Sequence, residues 1–170
     1  MSDAIHLLSH RIKEAWRRHK VTVMLCLDGK GAFPNVVTHQ LLHNMRSCRM
    51  PESYMTFIEC MLTGQHTSLK FDGYMSEWAS IDNGIVQGDP LSMILYLFYN
   101  ADLLENAGKL EVKVRYVDDI NFYVEGSTFK DAYTRIWDMM TRANSGKDWS
   151  MNHNSRYELS KLKLVGFSRH

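Results

Sequence analysis

Three aspartates are the residues best suited to chemistry in this chain. Asp118 and Asp119 stand side by side within residues 112–124, which read Val-Lys-Val-Arg-Tyr-Val-Asp-Asp-Ile-Asn-Phe-Tyr-Val. Asp28 closes the apolar run of residues 21–27 and is followed by Gly29-Lys30-Gly31. A carboxylate at the tip of a buried strand is costly to desolvate without a partner. Carboxylates brought together repel one another and stay protonated unless something neutralises them. Hard divalent cations meet that need, and Mg²⁺ is usually held by one or two carboxylates plus substrate phosphates. Two such ions about 4 Å apart clamp the attacking and leaving oxygens of an in-line phosphoryl transfer. The bland alternative is an exposed hairpin carrying two solvated acids.

The elements that would gather these acids can be read from periodicity. Val112, Val114 and Tyr116 alternate with Glu111, Lys113 and Arg115, and Ile120, Phe122 and Val124 alternate with Asn121, Tyr123 and Glu125. Period two on both sides of the acids predicts two antiparallel strands, with the turn inside Val117-Asp118-Asp119. Asp tolerates hairpin-turn angles but a β-branched Val does not, so Val117 is strained or held there for a reason. Residues 21–27 are almost wholly apolar and rich in β-branched side chains, as in a strand buried on both faces mid-sheet.

Around these strands the spacing predicts helices over 3–19 (Ile5, Leu8, Ile12, Ala15 and Trp16 as the apolar stripe, a basic end), from about 35 to 46, from Pro51 to about 62 and over 91–104. A further helix runs from Thr128, which heads a capping-box variant with Asp131, to about residue 143, with Ala132, Ile136, Met139 and Met140 inward. Asp72-Gly73 marks a second hairpin between residues 66–71 and 75–81. Residues 84–90 form a loop punctuated by Gly and Pro, 145–155 are polar and turn-rich, and 159–167 suit a last strand. This order predicts an α+β fold, a small antiparallel sheet with helices packed on one face.

Composition excludes more than it selects. The chain's 170 residues suffice for one domain with a real core, and 45% hydrophobic and 23% charged residues are ordinary for a globular protein. A net charge of +1 makes no global case for nucleic acid, so any basic surface is local. Cys26, Cys48 and Cys60 are scattered and odd in number, against a zinc module or disulfide framework and in keeping with a reducing compartment. No membrane span or signal peptide is expected, so the setting is intracellular, nucleus or cytoplasm. His39 and His43 lack a third ligand nearby and read as a solvent-facing helix edge.

Taken together, these motifs resemble a known family. Leu27-Asp28-Gly29-Lys30-Gly31-Ala32-Phe33, Gln87-Gly88-Asp89-Pro90-Leu91-Ser92 and Tyr116-Val117-Asp118-Asp119 occur in the order and spacing of the polymerase palm of reverse transcriptases, of the non-long-terminal-repeat (LINE-type) retrotransposon kind. Ser160-Lys161 through Phe167 is similar to the family's fourth motif. The resemblance covers about residues 5–168. It implies an RNA-directed DNA polymerase core that adds deoxynucleotides to a primer 3′-hydroxyl on an RNA template. Asp28, Asp118 and Asp119 would hold two Mg²⁺ ions, with Mn²⁺ as a substitute. The backbone of Gly29, Lys30, Gly31 and Ala32 would cradle the triphosphate. Phe33 would lie under the sugar and exclude a 2′-hydroxyl. Gln87, Gly88 and Pro90 would line the nucleotide and template side, Tyr116 belongs to the third motif, and Lys161 would protonate the leaving pyrophosphate.

Pro34, Gly29 and Leu162 depart from the common pattern; the last bears on Lys161, whose alternative is an exposed strand lysine. On this reading residues 1–170 are the palm with a piece of fingers. Full fingers, thumb, endonuclease and RNase H are absent from the chain, and fingers and thumb would come from adjacent sequence. A second reading makes it a non-catalytic palm remnant that binds nucleic acid or protein. Cyclase or RNA polymerase chemistry on a similar site is opposed by Phe33 and by the Tyr-Val-Asp-Asp turn.

Overall fold

Apolar spacing is converted into elements in the computed structural model, which describes residues 2–105, 111–116, 119–143 and 145–169. In chain order they are α1 (Ser2–Arg17), β1 (Val21–Asp28), α2 (Thr38–Ser47), α3 (Glu52–Leu62), β2 (Gln65–Thr67), β3 (Lys70–Phe71), β4 (Tyr74–Met75), β5 (Ala79–Ile81), α4 (Pro90–Tyr99), α5 (Ala101–Glu105), β6 (Glu111–Tyr116), β7 (Asp119–Gly126), α6 (Phe129–Thr141), α7 (Gly146–Asn152) and β8 (Lys163–Phe167). They divide into two compact units, one of Met1–Lys30 with Asp102–His170, the other of Gly31–Ala101. Among the described residues no helix is long and apolar enough to cross a membrane.

The first unit is built on a four-stranded antiparallel sheet in the order β6-β7-β1-β8. The apolar run thus occupies an inner strand, as its composition predicts. Its register sets Leu27 opposite Ile120, Leu25 opposite Phe122 and Val23 opposite Val124. These side chains share one face and are closed over by Ala132, Ile136 and Met139 of α6 and Trp149 of α7. Burying a side chain of this size is worth roughly 1.5–3 kcal/mol, so this layer holds β1 and β7 in a single register. A slip of one residue would move every apolar group to the opposite face.

That opposite face carries Thr22, Met24, Cys26 and Asp28 of β1 against Glu125, Tyr123, Asn121 and Asp119 of β7. Val112 and Val114 pair with Tyr123 and Asn121, so the apolar residues of β6 lie on the acid-bearing face. Lys113, on the core side, sets its ammonium over the Phe122 ring at 5.5 Å and donates to the Leu103 carbonyl at 2.7 Å. Arg142, at the end of α6, grips the Glu111 carboxylate through two nitrogens at 2.8 and 2.7 Å. Thr128 caps α6 by accepting from the Asp131 amide, while the Asp131 carboxylate accepts from the Ser127 amide, a reciprocal cap shifted by one residue.

Several boundaries differ from the periodicity reading. Residues 145–155, expected as turns, contain α7. Its single apolar anchor, Trp149, is 6% exposed, donates to Asp102 at 2.9 Å and stacks on His153 at 4.6 Å. One anchor in a polar run gives no periodic signal, which is why the helix is invisible in the sequence. Asp102 also meets the His153 ring at 2.9 Å. Burial pushes its carboxyl up, but the bonds from His153 and Trp149 outweigh it and leave the pKa below the ordinary value. In α1, Ile12 and Ala15 are buried but Ile5 is exposed.

In the second unit, α2 begins at Thr38 because residues 31–36 are taken up by turns, Asn35 donating to the Gly31 carbonyl and Val36 to that of Phe33. The helix expected over 91–104 breaks at Asn100, fully buried, whose amide donates to the carbonyls of Tyr96 and Phe98. The buried side of α4 is Ser92, Leu95, Tyr96 and Tyr99, whereas Ile94 and Leu97 are exposed. The second hairpin forms with Asp72 and Gly73 at φ 45° and 80°, both left-handed as a two-residue primed turn requires. Its ladder is interrupted between β3–β4 and β2–β5, where Ser76 and Leu69 bond one another instead. His39 and His43 are exposed, as expected.

Candidate active site

In the first unit, the acids are brought together by strand register. Asp28, the last residue of β1, pairs directly with Asp119, the first of β7. Directly opposed residues have Cα atoms about 4.5–5.5 Å apart and side chains on the same face. Tyr116 pairs with Asp119 across the β6–β7 hairpin, so the strands close over the two residues between them. Those two, Val117 and Asp118, lie outside the described residues, as does the expectation of a strained Val117.

Like charges placed opposite one another destabilise a sheet, and a cation answers this pair. The Lys161 ammonium lies 2.5 Å from Asp28 Oδ2. Asp28 is 20% exposed at its side chain and Lys161 67%, so the pair sits at the mouth of the site and not in the core. Lys161 is not on a strand, as expected, but in a single 3₁₀ turn, Leu159–Lys161. The local reason is a break in pairing along β1. Residues 22–26 pair with 167–163 of β8, and beyond the tip Gly29 bridges Tyr157. There the Glu158 amide donates to the Asp28 carbonyl at 2.9 Å and the Lys30 amide to the Arg156 carbonyl at 2.7 Å. Residues 159–162 are left to loop out between the two paired stretches, and that excursion carries Lys161 over Asp28. Lys30 itself faces Glu158 at 4.0 Å.

Three residues of this face escaped the sequence reading. Cys26 lies two residues before Asp28, opposite both Asn121 and Lys163. Burial pushes the Cys26 thiol up, Lys163 pulls it down and Asp119 raises it further, with a net rise. The signal that could have found them is the same period of two, counted back from one acid and forward from the other.

The remaining predicted residues fall in the second unit. Phe33 stacks on Tyr96 with ring centroids 5.3 Å apart, and its carbonyl accepts from the Ile85 amide at 2.9 Å. The Gly84 amide donates to the Val36 carbonyl at 2.7 Å, so the loop before Gln87 is pinned along residues 33–36. Gly84 sits at φ +105°, and a Cβ there would lie 2.8 Å from the Pro34 carbonyl oxygen. Gly84→Ala is therefore expected to destabilise the chain by roughly 2–3 kcal/mol through strain and clash, as read by urea denaturation; an unchanged midpoint would show that the loop is not pinned. Gly88, at φ +97°, has open space around it. Gln87, Gly88 and Pro90 are exposed, and Asp89 caps α4 by accepting from the Leu91 amide at 2.9 Å. Gly31, at φ +61°, and buried Ala32 complete the turn.

The residues present fit a divalent cation on one observation: a cation, the Lys161 ammonium, already stands against Asp28, the carboxylate that the register sets opposite Asp119. Among the described residues Asp28 and Asp119 are the two acids that meet there.

Comparison with known proteins bears on this arrangement. Residues 2–165 match the family model described as Reverse transcriptase (RNA-dependent DNA polymerase). The Pol polyprotein from the type-1 retrotransposable element R2 of Popillia japonica is 32% identical over 92 residues, which is 54% of this chain and 15% of that protein. Its counterpart from Nasonia vitripennis is 32% identical over 96 residues, 56% of this chain and 9% of that protein. The chain thus spans a small part of the length of the curated relatives it matches. Among solved structures, telomerases from Candida tropicalis and Candida albicans, each in complex with a fragment of telomeric RNA, superpose over 96% of this chain and 30% of theirs. Their TM-scores are 0.67 and 0.68 at 14% and 13% identity. At that identity the likeness is one of fold.

Proposed function

Because this chain belongs to the reverse transcriptase (RNA-dependent DNA polymerase) family, we propose that it is the catalytic palm segment of a retrotransposon polymerase that copies RNA into DNA. The observation that carries the reading is the pairing of Asp28 with Asp119 at the strand tips, with Lys161 set against Asp28. The segment would comprise the palm and a piece of the fingers, the rest of the polymerase being supplied by adjacent sequence. Its partners would be an RNA template, a DNA primer and deoxynucleoside triphosphates, in the nucleus or cytoplasm.

Asp28, Asp118 and Asp119 would hold two Mg²⁺ ions, or Mn²⁺. When bound, the ions lower the pKa of the primer 3′-hydroxyl and neutralise charge on the transferring phosphate. The 3′-hydroxyl would release its proton to water as its oxygen attacks the α-phosphorus in line, the bond to the bridging oxygen breaks, and pyrophosphate departs. Released from Asp28, Lys161 would donate a proton to the pyrophosphate. The amides of Gly29 through Ala32 would hold the triphosphate, as successive backbone N–H groups in turns do for anions. Phe33 would lie under the sugar, Gln87 and Gly88 beside the base and template, and Tyr116 and Pro90 would support the second and third motifs.

Metal binding tests this directly. Only the folded chain gathers the acids, so millimolar Mn²⁺ should raise the melting temperature, by the equivalent of about 2.7 kcal/mol at a hundredfold excess over Kd. Mn²⁺ should bind more tightly than Mg²⁺, which prefers phosphate co-ligands. The Asp28→Asn, Asp118→Asn double variant should show no such rise. Equal melting of variant and parent in Mn²⁺ would reduce the chain to a non-catalytic remnant.

A further inference from the structure

A second concavity lies at the other end of β1. Val21 begins the strand and Asp28 ends it, a span of roughly 23 Å at about 3.3 Å per residue. Because β8 runs antiparallel to β1, Ser168 and Arg169 follow Phe167 to the Val21 end. There they enclose, with Trp16, His19, Lys20 and Val21, a cavity of about 430 Å³.

The lining is rich in hydrogen-bond donors. Lys20 and Arg169 offer only N–H groups, and indole is a donor alone. The Trp16 Nε1 is buried and has no hydrogen-bond partner, an arrangement that is costly when no acceptor arrives. Among charged neighbours, Arg17 and Arg18 add two cations. Glu125 lies beside them, its carboxylate engaged by Arg18 at 2.9 Å and 3.9 Å from Lys20. Net charge around the cavity is therefore positive.

The turn that delivers His19 and Lys20 is itself unusual. The Lys20 amide returns to the Ala15 carbonyl and the His19 amide to that of Trp16, closing α1 in a Schellman turn. His19 takes the left-handed position at φ 54°, where glycine is the ordinary choice. Imidazole is retained at a conformational cost, as functional positions tend to show.

An acceptor-rich anion satisfies this set, and an aromatic ring beside cations is the pattern by which single-stranded nucleic acid is held. We infer that this cavity binds a phosphate of a nucleic-acid strand, at a site separate from the paired acids. The choice of nucleic acid among anions rests on the polymerase reading; the cavity does not.

The test uses the 170-residue chain and a fluorescein-labelled single-stranded RNA oligonucleotide, followed by anisotropy across a salt series. Arg169→Glu and Lys20→Gln should each weaken binding about tenfold and flatten the log–log salt slope by roughly 0.7 per lost phosphate contact, with melting unchanged for Arg169→Glu. The Trp16 indole proton should shift in NMR on adding RNA, and Trp16→Phe, which keeps an aromatic ring and deletes the donor, should weaken binding severalfold. Unchanged affinity and slope in both charge variants, with a stationary Trp16 proton, would overturn the site. A Trp16 shift that inorganic phosphate or polyglutamate saturates at the same concentration as RNA would overturn the nucleic-acid assignment. Asp28→Asn, which removes a proposed metal ligand, should leave this binding intact; binding lost there but kept in Arg169→Glu would place the RNA at the acids instead.

Discussion

Asp28→Asn is expected to lower primer extension by at least about 10³-fold, some 4 kcal/mol of transition-state stabilisation, and to leave the fold standing. The assay would place this chain in the matching segment of the R2 polyprotein it resembles and measure deoxynucleotide addition on an RNA template. The fold should survive because the Asp28–Lys161 pair is at the surface. Lys161 is 67% exposed, and exposed ion pairs contribute about 0–1 kcal/mol. Asparagine also removes the repulsion between Asp28 and Asp119 in the register, which offsets part of that loss. Stability within about 1 kcal/mol of the parent and activity down by orders of magnitude are thus the joint expectation. Activity within tenfold of the parent would remove Asp28 from the chemistry. Lys161→Gln divides two roles on the same assay. A proton donor to pyrophosphate should cost about 10²-fold and erase the basic limb of the pH–rate profile. A mere counter-ion for Asp28 should leave that limb in place.

The sequence was most informative where one side-chain type repeats at a fixed interval over several residues. β1, β7 and α6 were legible for that reason: each turns an apolar face to one shared core, and burial there outweighs local propensity; β6 was legible by its alternation alone, its apolar groups lying on the acid-bearing face. The Asp72-Gly73 hairpin was legible because a primed turn admits few residues. The site was partly legible, since Asp28 and Asp119 end and begin strands whose periodicity is clear. What placed Lys161 over Asp28 was not, because it depends on where β1 exchanges one backbone partner for another, and backbone pairing leaves no side-chain signature in residues 156–163. α7 and the break at Asn100 failed for a related reason. Each centres on a single buried residue, Trp149 in one case and Asn100 in the other, and one residue makes no pattern. The buried face of α4 left no mark because a helix that is apolar nearly all round has no periodicity to read.

Replacing Phe33 should change which sugar is accepted. Phe33 stacks on Tyr96 and is tied by its carbonyl to Ile85, so its ring is held within the second unit. If that ring lies against the second carbon of an incoming sugar, it leaves no room for a hydroxyl. Phe33→Val opens the space and leaves Asp28 and Asp119 untouched. The ratio of ribonucleotide to deoxynucleotide incorporation should rise at least about tenfold, equivalent to 1.4 kcal/mol or more of differential exclusion. Lost stacking on Tyr96 should lower stability by about 0.5–1.5 kcal/mol beyond the area effect, and should lower incorporation of both nucleotides together. The ratio separates the two consequences, because a packing defect acts on both substrates alike and cancels. Phe33→Tyr keeps the ring in place and serves as the control, with a ratio near that of the parent. A Phe33→Val variant that extends primers with an unchanged ratio would make Phe33 a core residue and remove the argument that this site selects deoxynucleotides.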